Sequence, residues 1–144
     1  GARAVAPAIA ARGGGAIVAT ASLAGLIAFS PDPIYTMTKH AVVGFVRAVA
    51  AQLEPQRIII NAVCPGVVDT PLVGAAREML QQAGFPMIDP ADIADAVVGR
   101  ILGTATGECW AVQPGRPAER FEFGQVPGPR GPGAGMRPPA IKKI

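Results

Sequence analysis

Residues 34–63 read IYTMTKHAVVGFVRAVAAQLEPQRIIINAV, and they carry the strongest secondary-structure signals in the chain. In its first part apolar residues recur at intervals of three and four, which predicts a long amphipathic helix from Ile34 to Leu53. Pro55 ends that helix, because proline lacks the N–H that helical hydrogen bonding needs. The run from Ile58 to Val63 is short and rich in β-branched residues, which is typical of a strand buried on both faces of a parallel sheet.

A second apolar run, Ala16–Thr20, has the same character and precedes the helix. Strand, helix and strand in this order predict a parallel crossover unit, which is right-handed in nearly all proteins. Further upstream, the spacing of apolar residues predicts a helix over residues 2–11, which Gly13-Gly14-Gly15 ends. These patterns indicate the α/β class.

Three further elements are expected after this unit. Thr70-Pro71 is a favourable helix start and predicts a helix over residues 72–83, and Asp89-Pro90 predicts the start of another. Cys109–Val112 predicts a last strand. From Gly115 the composition changes to Pro, Gly and Arg, which predicts an irregular tail over residues 115–144.

The composition favours one globular domain, because 50% of the 144 residues are hydrophobic. The net charge of +3 is modest and the basic residues are scattered, which argues against a nucleic-acid partner. No apolar stretch reaches the roughly 18 residues of a membrane span, and the first residues lack a signal-peptide pattern. Cys64 and Cys109 lie in apolar runs, so we expect buried free thiols and a cytoplasmic protein.

Tyr35 and Lys39 are the clearest chemical signal. They are four residues apart near the start of the predicted helix, which puts both side chains on one face. A lysine ammonium one helical turn from the tyrosine would stabilise its phenolate form, so the pair can exchange a proton with a ligand. The alternative is an exposed aromatic residue beside an exposed lysine.

Two more polar segments follow strands. Ser22 comes after the strand that ends at Thr20, and ligands of open α/β sheets bind at the carboxyl ends of strands. Its alternative role is that of a turn residue bonded to nearby backbone. Pro65-Gly66 follows the next strand and lets the backbone approach a flat ligand closely, although this segment also fits an ordinary connection with Thr70 as a helix cap.

The order of these motifs resembles the short-chain dehydrogenase/reductase family in its common, non-extended form. A serine stands 13 residues before the tyrosine of Y-x-x-x-K, and N-A-x-x-P-G-x-x-x-T follows the next strand. The resemblance covers residues 1–114. It implies the C-terminal half of a Rossmann-like, doubly wound parallel sheet and an NAD(P)-dependent oxidoreductase that interconverts an alcohol and a ketone or aldehyde.

The resemblance also implies roles for individual residues. The tyrosine exchanges the hydroxyl proton, the serine orients the substrate oxygen, and the lysine binds the nicotinamide ribose and favours ionisation of the tyrosine. The turn after the second strand holds the nicotinamide amide and nearby phosphate, and an asparagine braces that strand. The corresponding residues are Tyr35, Ser22 and Lys39 for catalysis, Tyr35, Lys39, Pro65, Gly66, Val68 and Thr70 for the cofactor, and Asn61 for the brace.

The phosphate-binding loop T-G-x-x-x-G-x-G and the N-A-G motif of the family do not occur in the chain. Gly13-Gly14-Gly15 is no substitute, because it precedes a strand, whereas a dinucleotide loop follows one. We therefore expect residues 1–114 to be a partial domain that lacks its dinucleotide-binding half. NAD is the default cofactor, since the residue that distinguishes it from NADP lies in that half. The alternative is a non-catalytic fragment that acts as an oligomerisation or interaction module.

Similar proteins pair the helix of residues 34–53 between subunits, which implies a homodimer or homotetramer. The segment Pro71–Ile88 carries several apolar residues and suggests a lid over an apolar pocket for a small alcohol or carbonyl substrate. These residues could instead pack the segment onto the domain. Sugar epimerases share Y-x-x-x-K but resemble this chain less around Pro65-Gly66.

Other catalytic classes fit less well. A serine hydrolase would need G-x-S-x-G around Ser22, where the chain has A-S-L-A-G. His40 is expected to point away from the face of Lys39 and to have no catalytic role. No metal site is expected, and the carboxylates of Asp69, Asp89 and Asp92 fit helix starts.

Overall fold

The computed structural model describes residues 1–128, 130–131 and 134–136. Within these residues the four strands are β1 (Gly15–Thr20), β2 (Ile58–Pro65), β3 (Cys109–Val112) and β4 (Glu119–Arg120). They form one sheet in the order β1-β2-β3-β4. The pairs β1–β2 and β2–β3 are parallel, whereas β4 runs antiparallel to β3. The predicted strands are thus confirmed, with β2 two residues longer than expected.

In the part of the chain that the structure describes, four α-helices connect and cover the strands: α1 (Ala2–Ala11), α2 (Pro33–Leu53), α3 (Ala76–Gln82) and α4 (Pro90–Ile101). The start of α2 is capped by Asp32, whose Oδ1 accepts a hydrogen bond of 2.8 Å from the Tyr35 N–H. Asp89 caps α4 in the same way, with the Ala91 N–H as donor at 2.8 Å. Both helices have a proline in the first turn, where its missing N–H costs nothing.

The two faces of β2 belong to two apolar clusters. Ile58, Ile60, Ala62 and Cys64 pack on one face in a cluster that includes Val46 of α2. On the opposite face a smaller cluster is formed by Val63, Ile88 and Val112, with Ile93, Ala96 and Val97 of α4 packed against it. Alternate residues of a strand point to opposite faces, so a strand covered on both sides is apolar throughout. Helices on both faces confirm the doubly wound α/β prediction.

The predicted helix over residues 72–83 is wrong in its first half. Pro71–Val73 form a 3₁₀ turn, and α3 begins only at Ala76. Gly74 separates this turn from α3, because its φ of +57° is a conformation that a continuous α-helix does not allow. Thr70 does not cap a helix, since its hydroxyl donates to the Val68 carbonyl at 3.4 Å. Asp69 pairs with Arg77 and is not a helix-start carboxylate.

The predicted irregular tail needs one correction. Glu119–Arg120 form β4 on the outer edge of β3, with Trp110 opposite Arg120 and Ala111 opposite Glu119. Two residues of the tail therefore belong to the sheet. Residues 129, 132–133 and 137–144 of the predicted tail lie outside the described residues. In the described part of the chain, no helix has the length and apolar character needed to cross a membrane.

Candidate active site at the carboxyl edge of the sheet

The carboxyl ends of the three parallel strands meet at one edge. Thr20 lies opposite Val63 in the β1–β2 register, and the Ala21 N–H continues the pairing by donating to the Val63 carbonyl at 2.8 Å. On the other side, the Gly66 N–H donates to the Val112 carbonyl of β3 at 3.0 Å. The segments after β1 and β2, which carry the predicted site residues, therefore leave the sheet side by side.

Ser22 joins the first of these segments to the second. Its backbone is extended, and its Oγ accepts a hydrogen bond of 3.1 Å from the Ala24 N–H, which starts the 3₁₀ turn Leu23–Gly25. The same hydroxyl lies 3.5 Å from the Pro65 carbonyl oxygen, to which it can donate. Ser22 thus stabilises its own turn and also lies beside Pro65-Gly66.

Tyr35 and Lys39 lie together in the first two turns of α2, as their spacing predicted. The Lys39 Nζ atom is 5.4 Å from the centroid of the Tyr35 ring. It also donates a hydrogen bond of 3.3 Å to the carbonyl of Thr20, the last residue of β1. Both side chains are half-buried. This contact ties the Tyr–Lys pair to the strand end that leads to Ser22.

Gly25 sets the distance between the serine turn and α2, a role that no sequence pattern indicated. A Cβ atom on Gly25 would lie 2.6 Å from the Lys39 carbonyl oxygen and 3.0 Å from a methyl group of Val43. Contacts below about 3 Å are not tolerated without backbone movement. Only glycine therefore lets the turn after Ser22 approach the helix that carries Lys39 this closely.

Asn61 is the one buried polar residue among the described residues, with 2% of its surface exposed. Its Nδ2 donates to the Ala105 carbonyl at 2.7 Å, and its Oδ1 accepts from the Glu108 N–H at 3.0 Å. The side chain therefore links β2 to the loop that precedes β3. Asn61 fits a bracing role, because its side chain is buried and both its Nδ2 and its Oδ1 are hydrogen-bonded.

The other residues of the predicted cofactor turn follow β2. Pro65 is buried, while Gly66, Val68 and Thr70 are half-buried. A Cβ on Gly66 would contact Leu23 at 3.4 Å and Ile88 at 3.5 Å, so the glycine lies between the serine turn and the base of the next segment. The backbone of this turn is thus close to Ser22 and accessible along part of its length.

The segment Thr70–Met87 is closed at its base. The Ile88 N–H donates to Val67 at 2.8 Å, and the Asp69 N–H donates to Ile88 at 2.9 Å. Arg77 adds a two-point ion pair, with Nε–Oδ1 and Nη2–Oδ2 distances of 2.5 and 2.8 Å to Asp69. Hydrogen bonding to the Arg77 guanidinium lowers the pKa of Asp69 below its ordinary value.

Between these anchors the segment packs little of its apolar surface. Leu72, Met79 and Phe85 are 86%, 62% and 47% exposed, and α3 has no buried residue. The alternative that these side chains pack the segment onto the domain does not hold for these three. The segment is therefore attached at both ends and leaves these three apolar side chains largely exposed.

The remaining candidates lie outside this site. His40 Nδ1 is 3.0 Å from the Thr36 carbonyl oxygen of its own helix, and its side chain is exposed. Cys64 and Cys109 are buried free thiols, as predicted. Hydrogen bonding to Cys109, together with burial, raises the pKa of Cys64. Among the described residues no three His, Cys, Asp or Glu side chains are grouped to hold a metal ion.

The sequence profile of the short chain dehydrogenase family matches residues 1–81, which is more than half of the chain. Together with the parallel sheet and the Ser22, Tyr35 and Lys39 arrangement, this match defines the class: the chain belongs to the short-chain dehydrogenase family.

Individual members of the family are similar over parts of the chain. The chain is 34% identical over 103 residues to 15-hydroxyprostaglandin dehydrogenase (NAD(+)) of Bos taurus, covering 59% of this chain and 38% of that protein. It is 47% identical over 72 residues to cyclohexanol dehydrogenase of Acinetobacter sp. (strain SE19), covering 50% and 29%. The crystal structure of L-sorbose reductase from Gluconobacter frateurii, complexed with NADPH and L-sorbose, matches with a TM-score of 0.66 and 25% identity, covering 77% and 50%. The chain thus spans half or less of each of these proteins.

Proposed function

We propose that this chain supplies the catalytic part of an NAD(P)-dependent oxidoreductase that interconverts an alcohol and a ketone or aldehyde by hydride transfer. One observation carries the proposal: the Lys39 ammonium lies beside the Tyr35 ring and is bonded to the end of the strand that leads to Ser22. Membership of the short-chain dehydrogenase family supports it. The residues that we propose as catalytic are Ser22, Tyr35 and Lys39.

In alcohol oxidation, the Ser22 hydroxyl orients the substrate oxygen and the Tyr35 oxygen takes up its proton. The Lys39 ammonium stabilises the Tyr35 phenolate that accepts this proton, because a positive charge close to a half-buried oxyanion is only partly screened by water. A nicotinamide held by Lys39 and the turn at Gly66 would supply the chemistry of hydride transfer to or from the carbinol carbon. The protein contributes position and a proton path, with no covalent intermediate.

The residues around the site fit such a cofactor. A lysine ammonium has three donors, and Lys39 uses one on Thr20, so donors remain for ribose hydroxyls. Gly66 lies beside Ser22's turn and offers backbone to a flat ring, with Pro65, Val68 and Thr70 along the same turn. The bovine relative is named for NAD(+), and the G. frateurii structure holds NADPH. We propose NAD or NADP, with NAD as the default.

For the substrate we propose a small alcohol or carbonyl compound with an apolar body. The exposed side chains of Leu72, Met79 and Phe85 support this, because the segment that carries them is anchored at Asp69 and Ile88, next to the proposed cofactor turn. The similarity to an enzyme named for cyclohexanol agrees with it. Turnover of small charged substrates alone in a substrate panel would contradict this choice.

We further propose a cytoplasmic homodimer or homotetramer that associates through residues 34–53. Ile34, Met37 and Phe45 of α2 are 67%, 61% and 50% exposed, which is a large apolar surface for one helix. The same surface supports the second candidate, a non-catalytic interaction module. Cofactor titration distinguishes the two, because a module without a dinucleotide site would bind neither NAD nor NADP.

The catalytic proposal is tested by Tyr35→Phe in the full-length protein. Removing a general acid–base group costs about 10²- to 10⁴-fold in turnover, so we expect a loss in that range. Cofactor affinity, measured by fluorescence titration, should change little because the ring remains. Unchanged turnover would show that Tyr35 is not the proton-transfer group.

A further inference from the structure

Residues 116–123, which we term the edge strap, cross the outer edge of the sheet from one face to the other. Ala118 packs against the cluster on the α4 side, where Val112 is buried. Phe123 packs against the cluster on the α2 side. Between them β4 pairs with β3, and the Phe121 N–H donates to the Cys109 carbonyl at 2.8 Å. The strap thus covers the edge and reaches both layers of the fold.

The carboxylate of Glu108 attaches the strap to the sheet. Its Oε1 accepts from Arg120 of the strap at 3.2 Å, and its Oε2 accepts from the Trp110 Nε1 at 3.1 Å. The Glu108 side chain is 19% exposed and that of Arg120 is 52% exposed, so the pair is shielded from water on the carboxylate side only. The Glu108 backbone N–H donates to Asn61 at 3.0 Å, so the backbone that carries this carboxylate is held next to β2.

A second attachment lies on the opposite face. The guanidinium of Arg47, in α2, stacks over the Phe123 ring at 3.6 Å from its centroid. Phe121 and Phe123 contact each other edge to face, with ring centroids 4.9 Å apart. Within the strap, Arg116 pairs with Glu119 at 2.6 Å. The strap is therefore attached at Glu108 and at Arg47, on two sides of the sheet edge.

We propose that the edge strap is an intramolecular cap that keeps β3 from pairing with a strand of another chain, and that Glu108 holds it closed. An uncovered edge strand presents unpaired N–H and C=O groups, which makes it a template for association. Release of the strap would expose that edge and the apolar surface under Phe123 together. The proposal concerns a different part of the fold from the catalytic site and does not depend on it.

The two cysteines allow a direct test. Cys109 lies on β3 in the cluster that Phe123 covers, whereas Cys64 lies on the interior strand β2, and both are buried. Alkylation by iodoacetamide, followed by mass spectrometry of the separated peptides, reports the two sites individually. Glu108→Gln removes the charge that binds Arg120, and Phe123→Ala removes the second attachment. Glu78→Gln, an exposed change in α3, is the matched control.

We expect Cys109 to react about tenfold faster or more in Glu108→Gln and Phe123→Ala, with Cys64 and the control unchanged, because only the strap opens. Light scattering should show larger species for both variants at protein concentrations where the wild type keeps its mass. The proposal is overturned if Cys109 reacts as slowly as in the wild type or if both cysteines become reactive together, which signals global unfolding. Faster Cys109 labelling with unchanged mass would equally refute the capping role.

Discussion

The Nζ atom of Lys39 lies 3.3 Å from the carbonyl oxygen of Thr20, so the helix that carries Tyr35 is bonded to the last residue of β1. This contact does two things at once. It restrains the lysine side chain near the Tyr35 ring, and it places a positive charge at the strand end that leads to Ser22. A charge held in position contributes more to a reaction than one on a free side chain, since no reorganisation is needed.

We predict that Lys39→Met lowers kcat/KM of the full-length enzyme by about 10²-fold or more, because the phenolate loses its stabilising cation. Methionine keeps an unbranched side chain and removes the charge. The remaining activity should increase toward alkaline pH, which a pH–rate profile measures. His40→Gln is the control and should retain wild-type activity. An unaltered pH profile in Lys39→Met would remove Lys39 from the proton path.

We predict that Gly25→Ala destabilises the protein by about 1–3 kcal/mol, the usual cost of overpacking. The new Cβ would lie 2.6 Å from the Lys39 carbonyl oxygen, and backbone on both sides must move. Gly99→Ala in α4 is the matched control, since its Cβ would meet no atom within 4 Å. There alanine should stabilise by about 0.5–1 kcal/mol through helix propensity. Urea unfolding measures both, and equal free energies of unfolding for the two variants would contradict the close-approach argument.

Replacement of Asn61 by alanine should destabilise the protein by about 2–4 kcal/mol. The change leaves the Ala105 carbonyl and the Glu108 N–H without their partner in a buried position. Gln56→Ala removes a single weak bond on an exposed turn and should have almost no effect. Thermal or urea unfolding distinguishes the two. If Asn61→Ala lowered the free energy of unfolding by less than about 0.5 kcal/mol, water would have replaced the hydrogen bonds of the Asn61 side chain.

The Asp69–Arg77 ion pair should restrain the segment Thr70–Met87 in a pH-dependent way. The pKa of Asp69 is lowered by Arg77, so the stabilisation is complete above the ordinary aspartate value of 3.8 and is lost as the pH falls below it. Arg77→Gln should remove the stabilisation by this ion pair at neutral pH. We expect faster hydrogen exchange of the segment in this variant, and a higher KM for apolar substrates with little change in kcat.

Glu78→Gln, one residue away in α3, is the control for that experiment and should exchange like the wild type. If the Arg77→Gln variant exchanges at the wild-type rate at neutral pH, the ion pair does not hold the segment. A change confined to kcat would contradict the proposed role in substrate binding, since that role predicts an effect on KM.

Local patterns predicted most of the fold. The 3.6-residue repeat of α2, the uninterrupted apolar runs of β1 and β2, and the Asp89-Pro90 start of α4 each depend on neighbouring residues. The Tyr35–Lys39 proximity was predictable for the same reason, since a spacing of four fixes it within one helix.

The failures have a common cause. The break at Gly74, the Asp69–Arg77 pair and the strand Glu119–Arg120 each depend on what the segment meets in three dimensions. Two residues are too short a run to give a strand signal by themselves, and β4 forms because β3 offers an open edge.

The α/β class, the order of the elements as far as β3 and the three motifs at the carboxyl edge follow from local patterns in the sequence. The contacts that join those motifs appear only in the folded chain: Ser22 lies beside Pro65, Lys39 bonds to Thr20, and Gly25 packs against the backbone of α2. Periodicity and capping are properties of adjacent residues, so a single sequence records them. Contacts between residues distant along the chain depend on the packing of whole elements, and no local pattern encodes that packing.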